Sequence, residues 1–303
     1  MPLIKHKPYK AKMDECLQLG RALQRILWSK SFTSSSFGSG SGSGFEFALF
    51  YVLFLKAERS LASIRALVRL GLVDDAMALV RVMVEKVITA EYILLMGMEP
   101  ALDFIKFQAF SEWRAYQEIK QRSPKLAPTF TEEHLKKWKD LHDEAKARVM
   151  ADGSVKNRFG RGHDWTELSL LKRAEKVDVL LKERRVLALA CFIYDAGYRK
   201  SAAYLHASAA SIARSFDFPL RSDPEPLSES EMDELKIEIR HRDIDPSVGL
   251  DALDAAEAVG FQMLMFIAGV FKNQKAEKWA KAFAQKITLQ ARHPQSGLTP
   301  NGD

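Results

Sequence analysis

The helical spacing of apolar residues most limits what this chain can fold into. Apolar side chains recur three and four residues apart from one end to the other, and no segment sustains the alternating pattern of a strand. With 303 residues, 47% of them hydrophobic, the chain is long enough to bury a substantial core. The sequence therefore predicts an all-α protein, a multi-helix bundle of about ten helices with no sheet.

Glycine, proline and serine clusters mark the ends of the predicted helices, and Gly197 is the predicted break within one long helical stretch. The predicted helices cover residues 11–30, 45–70, 74–96, 100–121, 131–150, 165–173, 175–196, 198–216, 228–240, 248–272 and 274–291. The same signals divide the chain into an N-terminal helix (1–33), a Gly/Ser linker (34–44), a core helical domain (45–217), a C-terminal helical extension packed on the core (218–291) and a disordered tail (292–303).

The cysteines and the apolar stretches bear on the compartment. Cys16 and Cys191 lie far apart, which gives neither a disulfide framework nor zinc-ligand spacing, and Cys191 is predicted to be a buried, reduced thiol. The N-terminus lacks the apolar segment of a signal peptide. The apolar stretches 45–55 and 87–98 are shorter than the roughly 20 residues that a spanning helix needs. These features predict a cytoplasmic protein that does not engage a membrane.

The helix predicted at 74–96 is apolar on nearly every side, which is typical of a helix in the centre of a bundle. It nevertheless carries Arg81, Glu85 and Glu91. An unpaired buried charge is costly, so these groups are predicted to be paired or to line a wet cavity. Arg81 and Glu85 stand four apart and can pair with each other or reach a neighbouring helix. A structural salt bridge that fixes helix register is the alternative to a binding role.

The helix predicted to begin at Tyr198 supplies a second set of polar residues. Arg199 and His206 stand seven apart, so they project from one face two turns apart. Such a pair can hold a phosphate and move a proton near neutral pH. A histidine that is merely part of the helix packing explains the pattern as well. His134 and His142 stand eight apart and do not share a face, so neither a metal site nor a cofactor is expected.

The net charge of +6 is unevenly placed. Residues 156–185 hold nine Lys and Arg residues against five acids. This asymmetry permits a polyanionic partner such as RNA, bound without DNA sequence readout, although a solvated helical face gives the same pattern.

Two groups of residues resemble a bacterial all-helical family that is known only as a domain of unknown function. The similarity spans roughly residues 50 to 215. It implies a helical bundle and assigns no chemistry. Its motifs are Arg-x-x-x-Glu on one helix and Tyr-Arg…Ser…His on another, which single out Arg81, Glu85, Tyr198 and Ser201 as candidate binding residues.

The late helix also resembles, more weakly, the HEPN superfamily of helical ribonucleases, in which an arginine precedes a histidine by four to six intervening residues. Arg199 and His206 fit the outer limit of that spacing. The resemblance implies a homodimer that cuts RNA without metal by attack of the 2′-hydroxyl, as a toxin or phage-defence effector. It also implies that His206 acts as acid or base and that Arg199 steadies the scissile phosphate.

Three functions therefore stay open from the sequence. The first is the metal-independent ribonuclease, with Arg199 and His206 as catalytic residues. The second is a non-enzymatic binding or scaffold module whose central polar pocket contains Arg81, Glu85, Tyr198 and Arg199. The third is a bundle in which these polar groups only specify the fold.

Overall fold

The structure is a computed structural model, and it describes residues 7–29, 44–122, 124, 131–151, 166, 168–205 and 246–292. These residues form nine helices and no strand, which confirms the predicted all-α class. The helices are α1 (Lys7–Leu27), α2 (Phe45–Leu70), α3 (Val73–Met96), α4 (Met98–Arg122), α5 (Glu132–Ala151), α6 (Leu170–Glu183), α7 (190–205), α8 (Pro246–Val270) and α9 (Gln274–Arg292).

Most predicted helix bounds agree with the structure to within four residues, but the prediction for 165–196 is wrong. Instead of two helices that meet near residue 174, α6 ends at Glu183 and α7 begins seven residues later. The turn at the end of α6 places Arg185 in a left-handed conformation with φ 57°. The Arg185 and Val186 amides donate to the Lys182 and Leu181 carbonyls, both at 2.9 Å. Glycine usually occupies such a left-handed position at the end of a helix. Because an arginine stands here instead, the sequence gives no signal that α6 ends at this point.

The predicted break at Gly197 is also wrong, because the helix continues through this residue. Several other predictions fall outside the described residues: the linker over 34–43, His206 with the rest of its helix to 216, the helix at 228–240 and the tail from 293. The division of the chain into five parts stays a prediction.

Helix α3 lies in the centre of the bundle, as predicted. It pairs most extensively with α2, which ends at Gly71, and it also contacts α6, α7 and α8. Thirteen of its 24 residues are buried. A helix that packs on α2, α4, α6, α7 and α8 cannot keep a wide polar face, which explains why apolar residues surround its axis.

Helix α8 completes the core against α1, α2, α3 and α9. Phe266 stacks on Phe50 with ring centroids 5.5 Å apart, and Phe54 lies 5.9 Å from the same ring. Within the described residues, Gly249–Val270 is the one helical stretch that is long and apolar enough to cross a membrane by length and composition. Since 61% of its most apolar window is buried inside the protein, packing in the core accounts for this apolarity.

An ion cluster joins α1 to α8 beside this core. Lys12 Nζ lies 2.9 Å from Asp254, 3.0 Å from Glu257 and 3.4 Å from Glu15. Burial acts to lower the pKa of Lys12, but hydrogen bonds to Asp254 and Glu257 outweigh it and raise that pKa overall. Lys12 therefore stays charged and ties the two helices together across 245 residues of sequence.

Candidate functional site

Helix α7 changes its winding where it meets α3. An α-helical turn, Ala190–Ile193, leads into a π-helical segment, Tyr194–Arg199, and α-helical winding resumes over Lys200–Leu205. Single-turn π segments of this kind occur frequently at functional sites. This stretch contains or adjoins most of the residues that the sequence singled out.

Gly197 lets the π-helical segment approach α3 closely. A Cβ atom at this position would lie 2.7 Å from Val84 Cγ2 and 3.3 Å from Val80 Cγ1. The first distance is shorter than carbon atoms tolerate, so any larger residue would push the helices apart. The glycine that was predicted to break the helix thus serves as the contact point between α7 and α3.

The close approach brings Arg81 of α3 onto Tyr198 of α7. Arg81 Nη2 donates a hydrogen bond of 2.9 Å to the Tyr198 hydroxyl, and its guanidinium carbon lies 4.3 Å from the centre of the ring. Tyr194 stacks on Tyr198 with ring centroids 5.2 Å apart. The three side chains form a stack that fixes the direction of the half-buried guanidinium. We call Arg81, Tyr194, Tyr198 and Arg199 the α3–α7 seam.

The ionisable neighbours of this stack are exposed. Glu85 does not bond Arg81, which contacts the neighbouring helix instead. The side chain of Arg199 is 79% exposed, and its closest carboxylate is Asp195 at 3.9 Å. Lys200 forms a 2.7 Å ion pair with Asp251 of α8. Asp195 is the seam neighbour that the sequence did not single out, although its position four residues before Arg199 favours such a pair.

Ser201 lies at the other side of α7 and is fully buried. Its hydroxyl donates to the Tyr198 carbonyl at 2.8 Å, so this contact stays within the helix. Of the predicted site residues, the structure therefore brings Arg81 and Tyr198 into direct contact and places Arg199 at the exposed edge beside them. Glu85 lies on the solvent side of α3, and His206 is not among the described residues.

Glu91 of α3 is fully buried and pairs with an amide, not with a cation. Gln262 Nε2 of α8 lies 2.9 and 3.0 Å from its two carboxyl oxygens. Burial raises the pKa of Glu91 well above its usual range, against the opposing effect of the Gln262 hydrogen bond. The sequence predicted that this group is paired or lines a wet cavity, and the structure pairs it. The type of partner was not predictable, because Gln262 lies 171 residues away.

Arg173 is the buried cation that sequence reasoning missed. It was counted in the basic stretch 156–185, but it is 2% exposed and donates to the Thr89 hydroxyl of α3 at 3.1 Å. It cannot contribute to a basic surface. In the same stretch, Lys172 pairs with Glu175 at 2.6 Å. The signal available for Arg173 in the sequence was its position one turn into α6, on the apolar face of this amphipathic helix.

The remaining reactive groups offer little chemistry. Cys16 is buried and Cys191 is half-buried, so the prediction of a buried Cys191 is wrong. Burial raises the pKa of both thiols to about 12, helped at Cys191 by Asp178, so neither is a reactive thiolate. In the described part of the chain, no group of three or more His, Cys, Asp or Glu residues is placed to hold a metal ion.

Comparison with known proteins gives one family. The model of DUF5677, described as a family of unknown function, matches residues 47–225. This match confirms the expected resemblance to a family of unknown function. No curated protein and no solved structure matches the chain significantly.

Proposed function

The chain belongs to the DUF5677 family, whose function is unknown, and we propose that it binds phosphate groups of single-stranded RNA at the α3–α7 seam. One observation supports this most. Arg81 is held against Tyr198 by a hydrogen bond and a ring contact, yet none of the ion pairs between described residues includes it. An oriented guanidinium without a carboxylate partner is suited to an anionic ligand.

The geometry leaves Arg81 with donors to spare. A guanidinium carries five N–H groups, and the Tyr198 hydroxyl accepts from one of them. Arg199, the residue after Tyr198, adds a second guanidinium at the exposed edge. Its contact with Asp195 at 3.9 Å is long and solvent-exposed, so it contributes little and a phosphate can displace it.

Two carboxylates limit the strength of this site. Glu85 and Asp195 are exposed near the two arginines, so the local charge is close to balanced. We therefore expect contact with one or two phosphates and an affinity that is modest at physiological salt. The contacts address the backbone and not the bases, so the proposal includes no sequence readout.

Fluorescence anisotropy of a short labelled single-stranded RNA, titrated at several salt concentrations, tests the proposal. Two phosphate contacts give a slope of about −1.4 in log K against log salt, and loss of either arginine reduces it by about 0.7. We expect this loss for Arg81→Met and for Arg199→Met. Arg114→Met, at an exposed position on α4, is the matched control and should behave as the unchanged protein.

The proposal fails if Arg81→Met binds RNA with the same affinity and salt slope as Arg114→Met. Tyr198→Phe refines the test, because it keeps the ring and removes the hydroxyl that orients Arg81. We expect this variant to bind more weakly than the unchanged protein and more tightly than Arg81→Met. Circular dichroism confirms that each variant is folded.

A second candidate is the metal-independent ribonuclease that the HEPN resemblance implies, with a role as toxin or phage-defence effector. The 79% exposure of Arg199 favours it, since this guanidinium is free to meet RNA held by a second copy of the chain. His206 would take the proton of the 2′-hydroxyl, whose oxygen attacks the phosphorus and displaces the 5′-oxygen. The imidazolium formed in this way returns the proton to the leaving 5′-oxygen. The products are a 2′,3′-cyclic phosphate and a 5′-hydroxyl.

Cleavage of varied RNAs in EDTA separates the two candidates. If the chain is a nuclease, His206→Ala abolishes cleavage and relieves growth arrest on overexpression, but leaves RNA binding in place. His134→Ala, on exposed α5, is the control and should cut normally. Intact RNA together with an unchanged phenotype for His206→Ala rules out the nuclease and leaves the binding proposal standing.

A further inference from the structure

A cavity separate from the α3–α7 seam lies where the connection between α6 and α7 meets α8 and α9. Its volume is about 340 Å³. Phe261, Met265 and Ala268 of α8 form an apolar wall, and Arg185, Glu277 and Lys281 stand around the mouth. This volume is at the lower end of the range of about 300–1,000 Å³ typical of ligand pockets, so its occupant is small.

The connection forms a fixed side of this cavity. Val186 rests directly on Gly269 of α8, where a Cβ atom would lie 2.5 Å from both methyl carbons of the valine. Close packing of this kind holds the backbone from Arg185 to Leu187 in place. The cavity is therefore preformed.

Arg185 occupies a backbone position that favours glycine. Its φ of 57° is left-handed, and the turn it closes is one that most often carries glycine. Strained residues of this kind cluster at ligand sites, where the side chain has a use that offsets the cost. The Arg185 side chain is exposed and stands at the cavity mouth.

Among the described charged residues at the mouth, Arg185 is the one without an ion-pair partner. Lys281 and Glu277 form an ion pair of 2.6 Å and neutralise each other. Arg185 takes part in no ion pair between described residues. Among the residues that the structure describes, the cavity thus combines an apolar interior with one positive charge at its opening, that of Arg185, that has no ion-pair partner.

We propose that this cavity binds a small carboxylic acid with an apolar body, whose carboxylate meets Arg185. A carboxylate carries one negative charge and matches the charge of Arg185, the cation at the mouth that is unpaired among the described residues. A phosphate monoester carries about 1.5 to 2 negative charges at neutral pH and matches it less well. The apolar body of the ligand fills the space against Phe261, Met265 and Ala268.

Ligand-observed NMR titration of the full chain with octanoate tests the site. We expect saturable binding of octanoate and much weaker binding of octylammonium, which has the same apolar body and the opposite charge. Ala268→Trp fills the half-buried wall and should abolish octanoate binding. Thermal unfolding of this variant checks that the helix packing survives.

Two glycine variants separate the role of the Arg185 side chain from that of its backbone. Lys272 also has a left-handed φ of 50° and does not line the cavity. Relief of backbone strain should raise the melting temperature of both Arg185→Gly and Lys272→Gly, by about 1–3 °C. Only Arg185→Gly should weaken octanoate binding, by about two- to fivefold as expected for an exposed charge contact.

Several results overturn the proposal. The proposal fails if octanoate shows no saturable binding, or if octylammonium binds as tightly as octanoate. Retention of octanoate binding in Ala268→Trp places the ligand elsewhere. Equal octanoate affinity in Arg185→Gly and Lys272→Gly removes the proposed role of the arginine.

Discussion

At the scale of residues, the pair of Glu91 and Gln262 shows how a buried carboxyl is kept without a cation. Gln262 Oε1 is buried and has no hydrogen-bond partner in the described part of the chain. A neutral Glu91 offers one O–H donor, and rotation of the amide by half a turn would give that oxygen this donor. Only the protonated carboxyl can make this hydrogen bond, so the bond and the burial of Glu91 both favour the protonated form.

Glu91→Gln therefore should stabilise the protein increasingly as pH rises. Unfolded glutamate ionises at about pH 4.3, whereas the raised pKa of folded Glu91 keeps its carboxyl protonated to higher pH. The contribution of Glu91 to the stability of the unchanged protein is therefore fully present below the unfolded pKa, and it is lost as the pH rises toward the folded pKa. We expect the free-energy advantage of Glu91→Gln, measured by urea unfolding, to grow from pH 5 to pH 6, by at most about 1.3 kcal/mol.

Glu85→Gln, at an exposed position of the same helix, is the control for this experiment. It should change the unfolding free energy by no more than about 0.5 kcal/mol at either pH. A Glu91→Gln advantage that does not change with pH would show that the carboxylate is ionised in the folded protein.

Individual residues of interest were predictable from the sequence where their polarity differs from that of the residues around them. Arg81 and Glu91 stand out because they interrupt an apolar helix, and the structure gives each a partner on another helix. Arg173 did not stand out, because it is one of several basic residues in its stretch of sequence, whereas the fold buries its side chain. Partners distant in sequence, such as Gln262, are determined by how the helices pack, and no local sequence pattern indicates them.

At the scale of elements, the join between α6 and α7 depends on one carboxylate. Asp178 of α6 accepts from the Ala190 amide at 2.7 Å and from the Cys191 amide at 3.0 Å. Leu189, at the cap position of α7, makes no side-chain hydrogen bond. The start of α7 is thus capped from a neighbouring helix, and its position relative to α6 is fixed by the same contact.

Asp178→Ala should lower the unfolding free energy by about 1–3 kcal/mol, because it leaves two amides without their acceptor. Hydrogen exchange at Ala190 and Cys191 should accelerate more than elsewhere in α7. Glu175→Ala, on the exposed side of α6, should stay within about 0.5 kcal/mol of the unchanged protein. Equal effects of the two substitutions would show that the cap contributes nothing.

Gly197→Ala tests the contact between α7 and α3. Alanine normally stabilises a helix relative to glycine, but here its Cβ overlaps Val84, so we expect a loss of about 1–3 kcal/mol. Val84→Ala makes room, and the double variant should be more stable than additivity predicts by at least about 0.5 kcal/mol in urea unfolding.

Gly20→Ala is the matched control, since a Cβ there meets only Leu61 at 3.6 Å. It should stabilise the protein by about 0.5–1 kcal/mol. Additive behaviour of Gly197→Ala and Val84→Ala would contradict the close packing of α7 on α3.

The elements as a whole were predictable wherever apolar spacing and a terminal glycine agree, as at the end of α2. The bounds of helices were not predictable where a residue stands at a position that its type rarely occupies. Arg185 ends a helix in the place of glycine, and Gly197 continues one because a neighbouring helix needs the space. Both are tertiary effects that override local propensity.

At the scale of the whole molecule, a helix outside the family match completes the core. The match ends at residue 225, yet α8 supplies fully buried side chains that include Leu253, Val259, Met263, Leu264, Phe266 and Ile267. They pack against α2 and α3, which lie inside the match. The matched segment thus relies on α8 to cover its apolar faces.

Deletion of residues 246–303 should therefore abolish cooperative unfolding. The exposed faces of α2 and α3 should bind the dye ANS and promote aggregation, as expected when a core loses one of its walls. Deletion of residues 293–303 alone is the control and should leave the urea transition unchanged. A sharp transition after the longer deletion would show that residues 1–245 fold without α8 and α9.

The bond from Lys12 to Glu257 has a consequence for how the chain is made. At roughly 5–20 residues per second, a ribosome adds the 245 residues that separate them in about 12 to 49 seconds. During that interval α1 can dock on α2, but the side that belongs against α8 stays uncovered. Chaperones that shield newly made apolar segments have this window in which to act.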